Sequence, residues 1–322
     1  MREPTYGEAL SKAWKLVWNH HTLWVLGLLS LAVGHFGLNA FIGMLLIFAD
    51  QGLFDPSIPW WPAALPVLHL PSTESLLWFI WLALVVSSIL LFIVVVSMLA
   101  KGAIIAATGE WFRQHQSPNM RRAWRKGVKH FWRLLAVEIL QKIGLGLILF
   151  VLIGSLRMVA GEGTFHLFLR IVGATIGLIA AAAVTSTTIY AAGYIVEEET
   201  GLGEALASGW HLFARHLLVS VETSCLLLLL NLLVIAIIYF FGVLTFVPSF
   251  LISAVGGLTG AKVLISIGVS IGGYLWIVVL ALVGSIFNAY TGSVWMYLFM
   301  TMHHQGVASR ILRWFERAAK LK

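Results

Sequence analysis

Long apolar runs alternate with short polar connections along the whole chain. Six runs, at about 22–49, 75–107, 134–158, 166–196, 217–247 and 263–301, reach or exceed the ~20 residues that carry a helix across a ~30 Å hydrocarbon core. None alternates with period two, so the pattern predicts spanning helices and not the strands of a barrel. Several runs exceed the minimum, which implies tilt or protrusion into water.

A second pattern precedes the first, third and fifth runs. Tyr6, Ala9, Leu10, Ala13, Trp14 and Val17 fall at the spacing of one helical face, with Glu8, Ser11, Lys12 and Lys15 on the other. A shift of 114 positions gives Met120, Ala123, Trp124, Gly127, Val128 and Phe131; a shift of 196 gives Leu202, Ala205, Leu206, Gly209, Trp210 and Phe213. All three stripes are apolar, with Ala or Gly at the second and fourth positions, where small residues let helices approach closely. The tetrapeptide Gly-Glu-Ala-Leu occurs at 7–10 and again at 203–206. Thr5 with Glu8 fits a capping box, and Ser117 before Pro118 fits an N-cap and first helical position. The expected fold is therefore an all-α membrane protein with six transmembrane helices in three out-and-back hairpins. Each hairpin is preceded by a cytoplasmic amphipathic interfacial helix. One transmembrane domain, 1–322, would consist of repeat units 1–116, 117–200 and 201–322.

Composition agrees. Of the 322 residues 60% are apolar and 11% charged, and mean hydropathy is +0.92. An ordinary soluble protein is about 25% charged, so a soluble enzyme and a disordered chain are both excluded. The formal charge of +7 reads as topology, because Lys and Arg gather in cytoplasmic loops. Arg2, Lys12 and Lys15, the basic residues of 108–133, Arg215, and Arg310, Arg313, Arg317, Lys320 and Lys322 all fall on one side. The other side has Arg157, Arg170 and Lys262, so both termini are expected in the cytoplasm of a prokaryotic inner-membrane protein. Pro59-Trp60-Trp61-Pro62 in the first outer loop suits the membrane interface. No cleaved signal peptide is expected, and the single cysteine, Cys225, allows no intramolecular disulfide.

Polar residues inside the runs are the candidate sites, because charge in hydrocarbon is costly. Glu138 and Lys142 stand four apart on one helix face, and Glu222 lies at a similar depth. They either pair with one another or line a cytoplasm-facing cavity for a polar ligand or proton. Asn231 and Asn288 are read as amides bridging helices, with a substrate pathway as the alternative. Arg121, Arg122, Arg125, Lys126, Lys129 and Arg133 surround the second stripe. They either fix topology or bind anionic headgroups, each contributing ~1 kcal/mol near an anionic leaflet. His35 with Asn39 forms a polar pair in the first run. His20, His21, His130, His211, His216, His303 and His304 show no dependable metal-ligand spacing and read as interfacial residues. Glu197, Glu198 and Glu199 read as a solvated helix end. Glycine pairs Gly173/Gly177, Gly256/Gly260 and Gly268/Gly272 indicate close packing, and Pro248 is expected to interrupt the fifth helix. No cofactor, metal or nucleic-acid partner is expected.

The repeated Gly-Glu-Ala-Leu-x-x-x-Trp segment followed by a long out-and-back pair resembles little-characterised prokaryotic six-span proteins, among them the membrane domain fused to some glycerophosphodiester phosphodiesterases. That resemblance covers most of the chain in architecture. Where such relatives carry a Tyr-Tyr-Asp-x-Arg-like ending, this chain has Tyr297-Leu298-Phe299-Met300-Thr301. The resemblance implies no phosphodiesterase activity and transfers no functional residue. Walker, HExxH and paired CxxC motifs are lacking. The expectation is a non-enzymatic protein that binds membrane lipids, anionic headgroups or a protein partner, its own copy included. A transporter with a cytoplasm-facing cavity is the alternative, followed by a membrane enzyme acting on lipids.

Overall fold

The computed structural model describes residues 6–31, 73–114, 117–158 and 164–304. Among the described residues there are nine α-helices and no strand. They are α1 (Tyr6–Asn19), α2 (Thr22–Leu29), α3 (Thr73–Gln114), α4 (Met120–Lys129), α5 (Phe131–Met158), α6 (Thr164–Glu197), α7 (Leu202–Arg215), α8 (Leu217–Thr259) and α9 (Lys262–His304). Five of these, α3, α5, α6, α8 and α9, are long and apolar enough to cross a membrane, as a multi-pass membrane protein requires. The first apolar run is described only over α2 and the two residues after it. Thr5, His35, Asn39, the Pro59–Pro62 stretch and the basic residues from Arg310 onward lie outside the described residues.

Three long helices, α3, α6 and α9, converge at one end of the bundle, where each touches the other two. There the chain is rich in small residues. Ala100, Ala103 and Ala107 of α3, Ala191 and Ala192 of α6, and Ala289 and Ser293 of α9 are all buried. Small side chains bring the backbones together, and dispersion across the contact supplies the attraction that hydrocarbon solvent does not. Thr108 donates a hydrogen bond to Ser293 at 3.2 Å, and Tyr190 packs edge-on against Trp295. Toward their opposite ends the helices turn bulky apolar side chains outward, including Trp78, Phe79, Phe168, Phe240 and Phe250. Exposed apolar surface on this scale suits contact with lipid tails.

The short helices lie against the converged ends, α4 on α3, α7 on α6 and α1 on α9. Their small residues explain the approach. A Cβ at Gly127 would sit 2.6 Å from the Leu99 carbonyl oxygen and 3.2 Å from the Ala103 nitrogen. One at Gly209 would sit 2.7 Å from the Thr187 carbonyl oxygen and 3.0 Å from the Ala191 nitrogen. Both glycines therefore rest on the carbonyl of one residue and the nitrogen of the residue four positions on, each on its own long helix. Ala9, Ala13, Ala123 and Ala205 are likewise buried, whereas Trp14, Val128 and Trp210 at the fifth stripe position are exposed.

Helix α2 is tied down by side chains. Ser285 donates to the Trp24 carbonyl, Asn288 donates to the Gly27 carbonyl at 3.0 Å and to Ser30 at 2.7 Å, and Ser97 donates to the Leu29 carbonyl at 2.6 Å. The Trp24 indole donates to the Val17 carbonyl at 2.9 Å and so joins α2 to α1.

Three local expectations change. The cap of α4 is Asn119, whose side chain accepts the Arg122 N–H at 3.2 Å, not Ser117. Helix α8 runs through Pro248 to Thr259 without a break. The missing proline N–H removes one internal bond, but packing on α9 continues. Gly260 does not pack as the partner of Gly256; it adopts φ 71°, the left-handed turn that caps α8 before α9 starts. Gly268 and Gly272 do pack closely, against Ser249 of α8.

Overpacking a close contact typically costs about 1–3 kcal/mol. Gly127→Leu should lower the thermal unfolding midpoint in mild detergent by several degrees. Gly146→Leu, at a position with no neighbour within 4 Å of the added Cβ, should leave it nearly unchanged.

Candidate functional site

Most fixed charge collects at the converged end. Helix α4 carries its basic residues toward the ends of α3 and α6, and the acids of those ends meet them. Arg122 pairs with Glu110 at 2.7 Å, while the other Glu110 oxygen accepts the Asn119 N–H at 3.1 Å. Glu197, whose side chain is fully buried, takes Arg113 on one oxygen and Lys126 on the other at 3.4 Å. Lys129 pairs with Glu199 at 2.5 Å. Glu199 has φ 57°, and this left-handed turn places its carbonyl and that of Thr200 within 3.1 Å of the Arg133 guanidinium. The bond from Lys129 holds the Glu199 carboxyl below the usual carboxylate range. Buried His130 lies beside Lys129, Arg133 and Lys126 and is pushed down, mainly by desolvation, with Glu199 opposing.

Glu198 and Glu199 are exposed, as a solvated helix end requires, and Glu197 is the member of the acidic triplet that departs from that expectation. Glu197 is sealed between two cations, and Glu198 lies 3.8 Å from the His303 ring. Among the described residues no group of three His, Cys, Asp or Glu side chains is placed to hold a metal ion.

Arg122, Lys126, Lys129 and Arg133 are thus engaged by protein. Arg121 and Arg125, one turn apart, are exposed and form no ion pair among the described residues. They follow the same outer side of the chain as exposed Val128 and Trp132.

Deeper in the bundle, Glu138 accepts from Lys101 of α3 at 2.6 Å and lies 3.4 Å from Lys142. Glu138 and Lys101 are both buried, whereas the Lys142 side chain is about half exposed. The spacing of Glu138 and Lys142 indicated their contact; Lys101, the closer partner, escaped sequence reasoning. A lone lysine inside an apolar run was the available signal. Asn288 bridges α9 to α2, as described above. Asn231 is half-buried on α8. Glu222, also half-buried, lies near the start of α8, which packs against α6, α7 and α9.

No family model, curated protein or solved structure matches the chain.

Breaking a buried pair by removing one partner costs about 3–5 kcal/mol, because the other charge stays desolvated. Glu138→Gln should therefore destabilise the protein by that order in detergent unfolding titrations. The double substitution Lys101→Met with Glu138→Leu should recover most of the loss.

Proposed function

We propose that this chain is a non-enzymatic protein of the prokaryotic inner membrane that organises anionic lipid at its cytoplasmic face. In this reading six spans form three hairpins, each preceded by an amphipathic interfacial helix, and both termini are cytoplasmic. The resemblance to the membrane domains fused to some glycerophosphodiester phosphodiesterases accords with that architecture.

The observation that carries the reading is the division of labour on α4. One side of the helix is neutralised by Glu110, Glu197 and Glu199. The other presents exposed Arg121 and Arg125, which form no ion pair among the described residues, with exposed Val128 on the same helix and exposed Trp132 at the start of α5. Exposed guanidinium groups and an exposed indole suit the headgroup level, where the ring is half wet and the cation meets phosphate. A surplus of cation over acid is left for the membrane.

Transport is the second reading, and the buried Lys101–Glu138–Lys142 group favours it to the extent that intramembrane charge marks ligand pathways. Uptake into reconstituted vesicles that is abolished by Glu138→Gln in folded protein would establish that reading.

At ~1 kcal/mol per basic residue, removing two should weaken binding roughly 30-fold. Titration of phosphatidylglycerol nanodiscs should show that loss for Arg121→Gln with Arg125→Gln. Arg122→Gln should lower stability and leave lipid affinity within a few fold. Equal affinity of the double variant and the parent protein would refute the role of this face.

A further inference from the structure

A second cationic site lies where α7 meets the ends of α6 and α9. A pocket of about 380 Å³ is lined there by Tyr194, Ser208, His211, Arg215, His216 and His303, with Ala207, Leu212 and Met302 completing its apolar wall. Ser208, His211 and Arg215 occupy positions i, i+3 and i+7 of α7 and so share one side of it. The hydroxyl of Tyr194 is 3.3 Å from Nδ1 of His303, and the acid recorded at this site is Glu198, 3.8 Å from Nε2 of the same ring. His211 and Arg215 meet no carboxylate among the described residues.

Comparison with α4 shows what this pocket lacks. Gly127 and Gly209 seat the two helices on their long partners through the same backbone contacts. Moving 82 positions on from Lys126, Lys129 and Arg133 gives Ser208, His211 and Arg215. Around α4 and the start of α5, those three positions are closed by Glu197 at the end of α6 and by the Glu199 carboxylate and the Glu199 and Thr200 carbonyls just beyond it. Around α7, the described end of α9 brings Met302 and His303, and the acid present, Glu198, faces the His303 ring and not His211 or Arg215. Donors remain where the first interface has protein oxygens, and a cavity takes the place of the carboxylates.

We propose that this pocket binds a phosphate group, whose oxygens serve Ser208, His211 and Arg215 as Glu197 and Glu199 serve Lys126 and Lys129. The guanidinium of Arg215 suits phosphate geometry, and Ser208 and His211 supply further hydrogen-bond donors. The apolar wall of Leu212 and Met302 accommodates the part of a ligand that carries the phosphate. A phospholipid headgroup and free phosphate share this chemistry. The inference rests on the anionic-lipid reading above, but it concerns residues that reading does not use.

The test measures binding to purified full-length protein in phosphatidylcholine nanodiscs. One arm adds phosphatidic acid to the bilayer; the other adds inorganic phosphate to the buffer. His211→Gln with Arg215→Gln should weaken binding at least tenfold in one arm or both. The arm that loses binding identifies the source of the phosphate. Arg121→Gln with Arg125→Gln should leave this component within about twofold. If the first variant misfolds, Arg215→Lys with Ser208→Ala should give a loss in the same direction. Unchanged binding in folded pocket variants overturns the proposal. Loss confined to the Arg121 and Arg125 variant overturns it as well and leaves the outer-face reading standing. Loss in neither pair of variants removes both.

Discussion

Close backbone approach at Gly127 and Gly209 is the constraint on which the remainder of the structure depends. A side chain at either position would collide with a carbonyl oxygen of the helix beneath. With the small residues in place, α4 and α7 lie directly on α3 and α6, and α1 rests on α9 behind Ala9 and Ala13. Each short helix thus sits on a long helix of the converged trio. That seating decides which side chains of the short helices face protein and which face outward.

The electrostatics follow from the seating. Charge near hydrocarbon must be paired or hydrated, because desolvation removes far more than an isolated ion can regain. On α4 the inward cations meet the acids ending α3 and α6, and a fully buried Glu197 is tolerable only because two cations reach it. On α7 the corresponding residues meet Met302 and His303 of α9, with Glu198 facing the His303 ring, and a pocket results. The contrast between a closed interface and an open one arises from side chains placed on similar backbone contacts. In the proposed reading, lipid phosphate supplies outside the protein what glutamate supplies within it.

Much of the helical content was legible because 3.6-residue periodicity and run length are local properties. The six stripe positions of each short segment foretold burial at Ala9, Ala13, Ala123, Gly127, Ala205 and Gly209. Partner choice was not legible, because it depends on residues distant in sequence. Glu138 was expected beside Lys142, four positions away, yet its closer partner Lys101 is 37 positions off. The histidines read as repeat-related interfacial residues without ligand spacing; His211, His216 and His303 line one pocket only because α7 and the end of α9 meet. Pro248 suggested a break, but packing on α9 is continuous enough to carry α8 past it.

The seating requires α1, α4 and α7 to share one side of the membrane. Single cysteines at Lys15, Lys129 and His211, in a Cys225→Ser background, place a probe on the exposed side of each helix. A membrane-impermeant maleimide should label all three from the cytoplasmic side, in inverted vesicles, and none in right-side-out vesicles. Labelling of any one of them from the opposite side only would contradict the account.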